Sequence, residues 1–491
     1  MAFGLDFHYI GSFFPRSVFL SYTHMSLTVS PQFKPVLDPG FVPAVLWNRA
    51  YAVKAAKDSG ARTLDLALVR QDGTAFRWSG KVLSAGGEND ALTRKFVERL
   101  VKFLLWQKGG SRILVAGAPD VAAALTEIYA PGGLRQFDRE FIGTKIFGEP
   151  IAIETVASAD DLPEENGGAM TLGRNLEGCR IGFDLGGSDR KCAALIDGEV
   201  VYSEEVVWDP YFQSDPQYHI EGIHDSLQRA AAHLPRVDAI GGSSAGVYVN
   251  NEVRAASLFR GVSEEDFEKH IRGVFFTLKE RWGGIPFEVV NDGEVTALAG
   301  SMGLNANRVL GVAMGTSQAA GYVDGKGHIL PWLNELAFAP VDYRDDAPSD
   351  EWSGDIGCGA QYFSQQAVAR LAPAAGFDFG KMPFPEQLVK VQEAMKEGDS
   401  RAAQIYETIG VCFGYAIAHY AEFYDISNLL ILGRVTSGDG GQIIIDEAET
   451  VLANEFPELR IKLVVPDEKT KRHGQAVAAA SLPPASVPAG V

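Results

Sequence analysis

Ile181-Gly-Phe-Asp-Leu-Gly-Gly-Ser-Asp-Arg-Lys-Cys-Ala-Ala-Leu-Ile-Asp-Gly198 is the stretch whose reading decides the fold. An apolar run enters Asp184, crosses Gly186-Gly187 and leaves by a second apolar run to an Asp-Gly turn, the pattern of a β-hairpin with a glycine-lined tip. Two adjacent glycines let backbone N–H groups approach a phosphate with no Cβ in the way. Ser188 adds a hydroxyl donor, and Asp184, at the mouth of the first strand, is placed to hold Mg2+ through water. Taken alone, the same residues also fit a plain tight turn. Three later segments, in order along the chain, favour the phosphate reading.

The second segment is Phe287-Glu-Val-Val-Asn-Asp-Gly-Glu-Val-Thr-Ala-Leu-Ala-Gly300. A strand ends at Val290 and a helix follows, so Asn291-Asp292 stand at a strand's C-terminal end, where open α/β sheets place ligands. A carboxylate there can take the proton of a substrate hydroxyl, and the amide can fix a neighbouring hydroxyl. The competing reading makes Asp292 only the cap of its helix. The third segment, Gly311-Val-Ala-Met-Gly-Thr-Ser-Gln-Ala-Ala-Gly-Tyr-Val323, is another strand–glycine–hydroxyl turn, with Gly315, Thr316 and Ser317 suited to a second phosphate cradle. In the fourth, Leu429-Leu-Ile-Leu-Gly-Arg-Val-Thr-Ser-Gly-Asp-Gly-Gly441, a strand ends at Gly433 before a loop of small residues that admits a flat adenine.

The chain around these segments has 491 residues, 46% of them apolar, and a net charge of −19. That charge argues against a partner such as nucleic acid or an anionic membrane surface. Cys179, Cys192, Cys358 and Cys412 lie far apart with no C-x-x-C pair, which suits a reducing cytoplasm. No run reaches the ~18 apolar residues of a membrane span. Pro15-Arg16 interrupts the aromatic-rich start, no signal-peptide order is visible, and Met25 is an alternative start.

Residues 1 to 40 show no periodicity and read as an arm. Leu64–Val69, the Asp72-Gly73 turn and Phe76–Val82 predict a hairpin. Asn89 or Asp90 would cap a helix carrying Phe96, Leu100, Phe103 and Leu104, and Ile113 begins a strand. This N-terminal α/β region is either a worn echo of the later hairpin, lacking its Asp-x-Gly-Gly, or an accessory or dimerisation region. The acidic stretch 158–168 reads as a linker. The expected domains are an accessory region at 1–170, a first lobe at 171–290 and a second lobe at 291–491. Strands are expected near Ile181, Ala193 and Val200 and at Val237–Ile240, with helices at Ile220–Leu234 and Glu264–Trp282, the latter capped by Ser263 and Asp266. The second lobe should hold strands at Val309–Val312 and Leu429–Leu432, a hairpin at Asp324-Gly325, helices near Gln365 and Cys412, and a frayed tail from Pro483.

In this order the segments resemble the ROK family (repressor, open reading frame, kinase) of sugar kinases, within the actin/hexokinase-like ATPase superfamily. The resemblance spans about Cys179 to Ala480. It implies an α/β, two-lobed, ribonuclease H-like fold, with ATP and Mg2+ bound in the cleft between the lobes. Gly186, Gly187 and Ser188, and Gly315, Thr316 and Ser317, resemble the family's phosphate motifs, and Gly433 its adenosine motif. Asn291-Asp292 matches the pair in which Asp is the general base and Asn binds a sugar hydroxyl. Trp332-Leu-Asn-Glu-Leu-Ala-Phe338 resembles the sugar motif, keeping Glu335 and placing Phe338 where the family has His. Ser353-Gly-Asp-Ile-Gly-Cys-Gly-Ala-Gln-Tyr362 is similar to its zinc motif, with the ligand positions falling on Phe338, Glu351, Ser353 and Cys358. That set does not make a closed tetrahedral site, so structural zinc is not expected. A last sugar-binding Glu aligns with Ala360, which turns the expected acceptor away from glucose toward another sugar or a cyclitol. Ser243, Ser244, Asn250 and Arg260 fall in the segment where the family lines its sugar pocket.

The function expected is therefore an ATP-dependent sugar kinase, homodimeric as the resemblance implies, acting on small molecules in the cytoplasm. The alternatives are a non-catalytic sugar or nucleotide sensor, a DNA-binding repressor of the same family, disfavoured by the acidic charge, and an acceptor-independent ATPase. His219, His224 and His233 read as a solvated helix face, Cys192 as core, Arg190 and Lys191 as an exposed hairpin or phosphate contacts, and Arg434 as near adenine or a surface charge.

Overall fold

The computed structural model describes residues 27–167, 172–465 and 468–484, with side chains of 468–473 left aside. Met25, Pro15-Arg16, most of the expected arm, Gly168 at the end of the linker and the tail beyond 484 lie outside the described residues.

Four strands form the N-terminal sheet: β1 (Arg62–Val69), β2 (Ala75–Val82), β3 (Arg112–Ala116) and β4 (Ala152–Thr155), in the order β2-β1-β3-β4. The expected hairpin around Asp72-Gly73 is present, with Gly73 at φ 83°. The helix Glu88–Lys108 starts slightly ahead of the expected cap. Gly87 precedes it, and Asp90 in its first turn accepts the Gly86 N–H at 2.7 Å. Its long apolar face enters a core with Trp47, Tyr51, Leu66 and Val115.

The next sheet is β11-β8-β5-β6-β7, built from β5 (Cys179–Leu185), β6 (Asp189–Ile196), β7 (Glu199–Val207), β8 (Ala239–Ser244) and β11 (Phe287–Asn291). Between β8 and β11 the pair β9 (Val247–Val249) and β10 (Glu252–Ala255) makes a separate ribbon. β5, β6 and β7 are antiparallel, while β8 runs parallel to β5 and β11 parallel to β8. β5 and β8 are almost wholly buried, whereas β7 alternates half-buried with exposed residues as an edge strand does. The C-terminal helix Glu468–Ala480 lies directly on this sheet. A Cβ on Gly182 would stand 2.1 Å from the Ala476 carbonyl oxygen, and one on Gly241 1.7 Å from that of Ala479, so both positions require glycine.

The last sheet repeats the scheme without an outer strand. β12 (Val309–Met314) pairs antiparallel with β13 (Gln318–Val323) and parallel with β14 (Asn428–Leu432), which pairs with β15 (Lys462–Val464). Two such sheets, each a hairpin followed by parallel strands, make the two-lobed, actin-like ATPase fold of ribonuclease H-like topology. The N-terminal sheet does not echo it: β3 runs antiparallel to β1, where β8 runs parallel to β5.

Two expected helices differ. Glu264–Trp282 is interrupted by a π turn at Phe267–Ile271 and resumes at Val274–Arg281; Gly273 separates the pieces, and Ser263 caps the first by accepting the Asp266 N–H at 3.1 Å. The other runs Pro216–Ala231, because Asp215 caps it and Pro216 takes its first position. His219 on that helix is fully buried, with Nε2 3.1 Å from the carbonyls of Pro210 and Leu258, and not on a solvated face. Cys192 is core, as expected.

Candidate active site between the lobes

β5, β8 and β11 end side by side, and their register sets Asp184 beside Ser243 and Leu185 beside Ser244, with Asn291 across from Ser244. The first glycine turn closes through the Gly186 N–H to the Asp189 carbonyl at 2.9 Å. Trp208 braces it from behind, donating Nε1–H to the Gly186 carbonyl at 2.7 Å and its backbone N–H to that of Ser188 at 3.1 Å. A Cβ on Gly187 would fall 1.9 Å from the Tyr211 hydroxyl, so a larger residue there would push the tyrosine ring off the turn. Burial raises the Asp184 carboxyl against the pull of Ser243 and Lys191.

Period-2 alternation separates the two basic residues after this turn. Arg190 is buried on the far face, held by Asp225 at 2.7 Å and Ser226 at 2.6 Å, so it is neither an exposed hairpin residue nor a phosphate ligand. Lys191 pairs across the hairpin with Asp184 and points its Nζ at Asp189, 3.1 Å away, and Asp184, 3.9 Å away. A lysine on the same face as the strand-end aspartate was the sequence signal for this difference.

Asn291 caps the helix Asp292–Leu304: its Oδ1 accepts the Gly293 N–H at 2.7 Å, and its Nδ2 donates to the Gly246 carbonyl at 2.7 Å. With Asn291 as cap, Asp292 is the first helical residue, its Oδ1 3.0 Å from the Gly293 N–H. The helix crosses from β11 to lie on the second lobe's hairpin, where Gly321 is needed because a Cβ would stand 2.3 Å from the Gly293 carbonyl oxygen. Asp292 therefore sits at the junction of the two lobes. Burial, with Asp184's charge behind it, pushes its carboxyl up to about 6.

Glu335 is carried by a loop ending in a single turn, Leu336–Phe338. Burial pushes its carboxyl to about 8, and Asp292 adds to the shift. Beneath it Asn334, at φ 51°, donates Nδ2–H to Glu294 at 2.5 Å and accepts from the Tyr424 hydroxyl at 2.8 Å. Burial raises Glu294 to about 8 as well. Glu294, one helix position beyond Gly293, reads locally as an exposed helix charge, and no sequence pattern marks it as buried.

The second glycine turn closes through the Gly315 N–H to the Ser317 carbonyl at 2.9 Å, and Gln365 N–H, at its helix's start, bonds the Gly315 carbonyl at 2.9 Å. Gly433 stands at φ 101°, and a Cβ there would lie 2.3 Å from the Met314 carbonyl oxygen, so the loop after β14 abuts the end of β12. Arg434 beside it is exposed.

Three of the four positions aligned with the zinc motif are otherwise engaged, and Glu351 is exposed. Phe338 packs tilted against Trp106, ring centroids 4.4 Å apart, and against Trp352 at 5.0 Å, Ser353 bonds Asp350 at 2.7 Å, and the buried Cys358 sulfur lies 3.5 Å from Asp355. Among the described residues no group of three or more His, Cys, Asp or Glu is placed to hold a metal. One half-buried carboxylate with a serine hydroxyl beside it, at the mouth of a glycine turn, suits Mg2+, which keeps several waters and takes few protein ligands.

No protein-family model and no curated protein matches the chain. Solved structures do. A ROK hexokinase from Thermus thermophilus is similar at 17% identity over 61% of this chain and 97% of its own, with a TM-score of 0.49. A ROK family glucokinase from Streptomyces griseus, solved with glucose and AMPPNP, is similar at 19% identity over 62% of this chain and 98% of its own, with a TM-score of 0.44. A ROK family transcriptional regulator, a homologue of the E. coli MLC protein, matches at 20% over 62% and 79%, with a TM-score of 0.48. The two-lobed fold rests on the strand orders of the two sheets.

Proposed function

We propose that the protein is an ATP-dependent kinase of the ROK type that transfers the γ-phosphate to a hydroxyl of a sugar or cyclitol, with Asp292 as general base. The observation that carries this is the position of Asp292. It stands at a strand's end, where its helix crosses from the first lobe's sheet onto the second lobe's hairpin, and its carboxyl is raised to about 6. Such a group is ionised at neutral pH yet basic enough to accept a hydroxyl proton as the bond to phosphorus forms.

The turns at Gly186–Ser188 and Gly315–Ser317 would receive the β- and γ-phosphates, and the loop at Gly433 the adenosine. Asp184, with Ser243 beside it, would hold the water shell of Mg2+, which neutralises phosphate charge when bound. Lys191 would add a cation on the same side. Asn291 orients the helix start and so the base, with one amide hydrogen left for the acceptor. Glu335, protonated below about 8, is a hydrogen-bond donor to an acceptor hydroxyl. Lobe closure would exclude water and hold the reacting atoms in line.

Residues 1–170 are taken as the accessory region and 171–290 and 291–491 as the two kinase lobes, in a homodimer. A cytoplasmic setting accords with four buried, free cysteines. No described helix is long and apolar enough to cross a membrane. The net charge of −19 disfavours nucleic acid as a partner. A sensor without catalysis is the second reading, favoured by one observation: Phe338 is locked in an aromatic cluster where a sugar-binding His is expected. Mg-ATP-dependent ADP release, screened over hexoses, amino sugars, deoxy sugars and cyclitols against an Asp292→Asn blank, decides between them. Release that needs one acceptor and vanishes in the blank supports the kinase; nucleotide binding with no acceptor-dependent release overturns it.

A further inference from the structure

The helix Glu88–Lys108 ends against the acceptor loop. The last carbonyls of a helix have no partner within it. Here Trp106 O accepts the Glu335 N–H and Gln107 O the Asn334 N–H, each at 3.0 Å. The Lys108 carbonyl is taken by Arg70, whose guanidinium also reaches the Pro331 carbonyl at 2.6 Å. The residues flanking and including Glu335 thus serve as the C-terminal cap of a helix from another part of the chain.

The same helix is bound to the far end of that loop by buried charge. Lys102 meets Asp138 at 2.9 Å and Asp355 at 3.2 Å; Arg135 meets Glu98 and Asp355, each at 2.5 Å; Arg99 meets Glu98 at 3.2 Å and Asp355 at 3.6 Å. All six side chains are at most 7% exposed. The N-terminal region supplies three cations and two anions, and Asp355, from the second lobe, is the sixth charge that balances them. Burial works to raise Asp355, yet Arg135, Lys102 and Arg99 hold it well below the usual carboxylate range. From Asp355 the chain runs back to the loop by a short ladder: Val341 N–H bonds the Gly357 carbonyl at 2.8 Å, and Gly359 N–H that of Ala339 at 3.0 Å.

We propose that the N-terminal region is a positioning element of the acceptor half of the site, in which the Lys102–Arg135–Asp355 network and the end of the helix Glu88–Lys108 together hold Glu335 in place. Asp355 of this cross-link lies 3.5 Å from the Cys358 sulfur, and Phe338 of the same loop packs against Trp106 and Trp352. The inference rests on the reading of Glu335 as an acceptor contact only for its bearing on catalysis.

The test is hydrogen exchange on the full chain without ligand, alongside AMPPNP binding with Mg2+. Asp355→Asn leaves one buried cation unpaired, which threatens the fold itself. The double variant Lys102→Met with Asp355→Asn removes the cross-link while restoring two charges against two. In the double variant the amides of Asn334 and Glu335 should exchange at least ~10-fold faster, since the charged half of the clamp that keeps them closed is gone. Amides of β5 and β12 and the AMPPNP affinity should hold, and Lys102→Arg should keep wild-type protection. Wild-type exchange at Asn334 and Glu335 in the double variant overturns the proposal, as does equal acceleration of every core amide. Neither readout depends on turnover, so failure of the kinase reading would appear in the acceptor screen and leave this result standing.

Discussion

Replacing Asp292 by Asn should make the protein inactive and more stable at once. Raising a carboxyl from its ordinary 3.8 to about 6 corresponds to roughly 3 kcal/mol between its charged and neutral forms. The sign follows from proton binding. Between pH 3.8 and about 6 the folded protein keeps a proton that the unfolded chain has released, so stability falls as pH rises through that window. The cost is absent below 3.8 and complete above 6. Asn never carries the charge, so the variant should gain up to ~3 kcal/mol at pH 7.5, about 3 °C in melting temperature for a cooperative unit of 491 residues. The gain should vanish at pH 3.8 and below. Thermal unfolding in EDTA across pH 3.5–8, paired with acceptor-dependent ADP release, reads both effects. Turnover should drop by ~10²-fold or more through loss of the base. A variant with wild-type turnover, or one whose stability gain persists unchanged at pH 3.5, would refute the reasoning.

In the wild-type protein, kcat/KM for the acceptor should fall below pH about 6 as Asp292 takes up a proton, and above about 8 as Glu335 ionises beside it; Glu335→Gln should flatten only the alkaline limb of a pH–rate profile. Lys191→Met should raise KM for MgATP by ~10-fold, the worth of one charge-assisted contact, with little change in melting temperature, because Lys191 is 39% exposed. Gly433→Ala forces a Cβ against the Met314 carbonyl at φ 101°. It should destabilise the fold by ~2 kcal/mol and weaken AMPPNP binding, read by calorimetry.

Where the chemistry is written in consecutive residues, the sequence was legible. The hairpins at Gly186-Gly187 and Gly315, the strand ends at Asp184 and Gly433, and Asn291-Asp292 at a strand–helix junction are all local patterns. Asn291-Asp292 also shows the limit, because either residue can cap a helix. The hydrogen bond from Nδ2 to Gly246 gives the cap to Asn291 and leaves Asp292 at the lobe junction. Arg190 and Lys191 are neighbours in the chain with opposite fates, since a strand turns them to opposite faces and only the packing of the helix Pro216–Ala231 decides which face is buried. His219 reads as exposed by its spacing and is buried because the Leu258 segment covers it.

By itself, the sequence determined the doubly repeated hairpin-and-strand scheme, the glycine turns and the carboxylate at the strand's end, because backbone conformation and period-2 alternation are properties of adjacent residues. Tertiary structure alone decided the rest. The carboxyls of Asp292 and Glu335 are raised by burial, to which segments far apart in sequence contribute. The charges around Asp355 balance only when a helix before the first lobe meets a loop inside the second. The amides of Asn334 and Glu335 find their acceptors at the end of that same helix. Burial and electrostatic balance are sums over all neighbours in space, and no local pattern in the chain carries them.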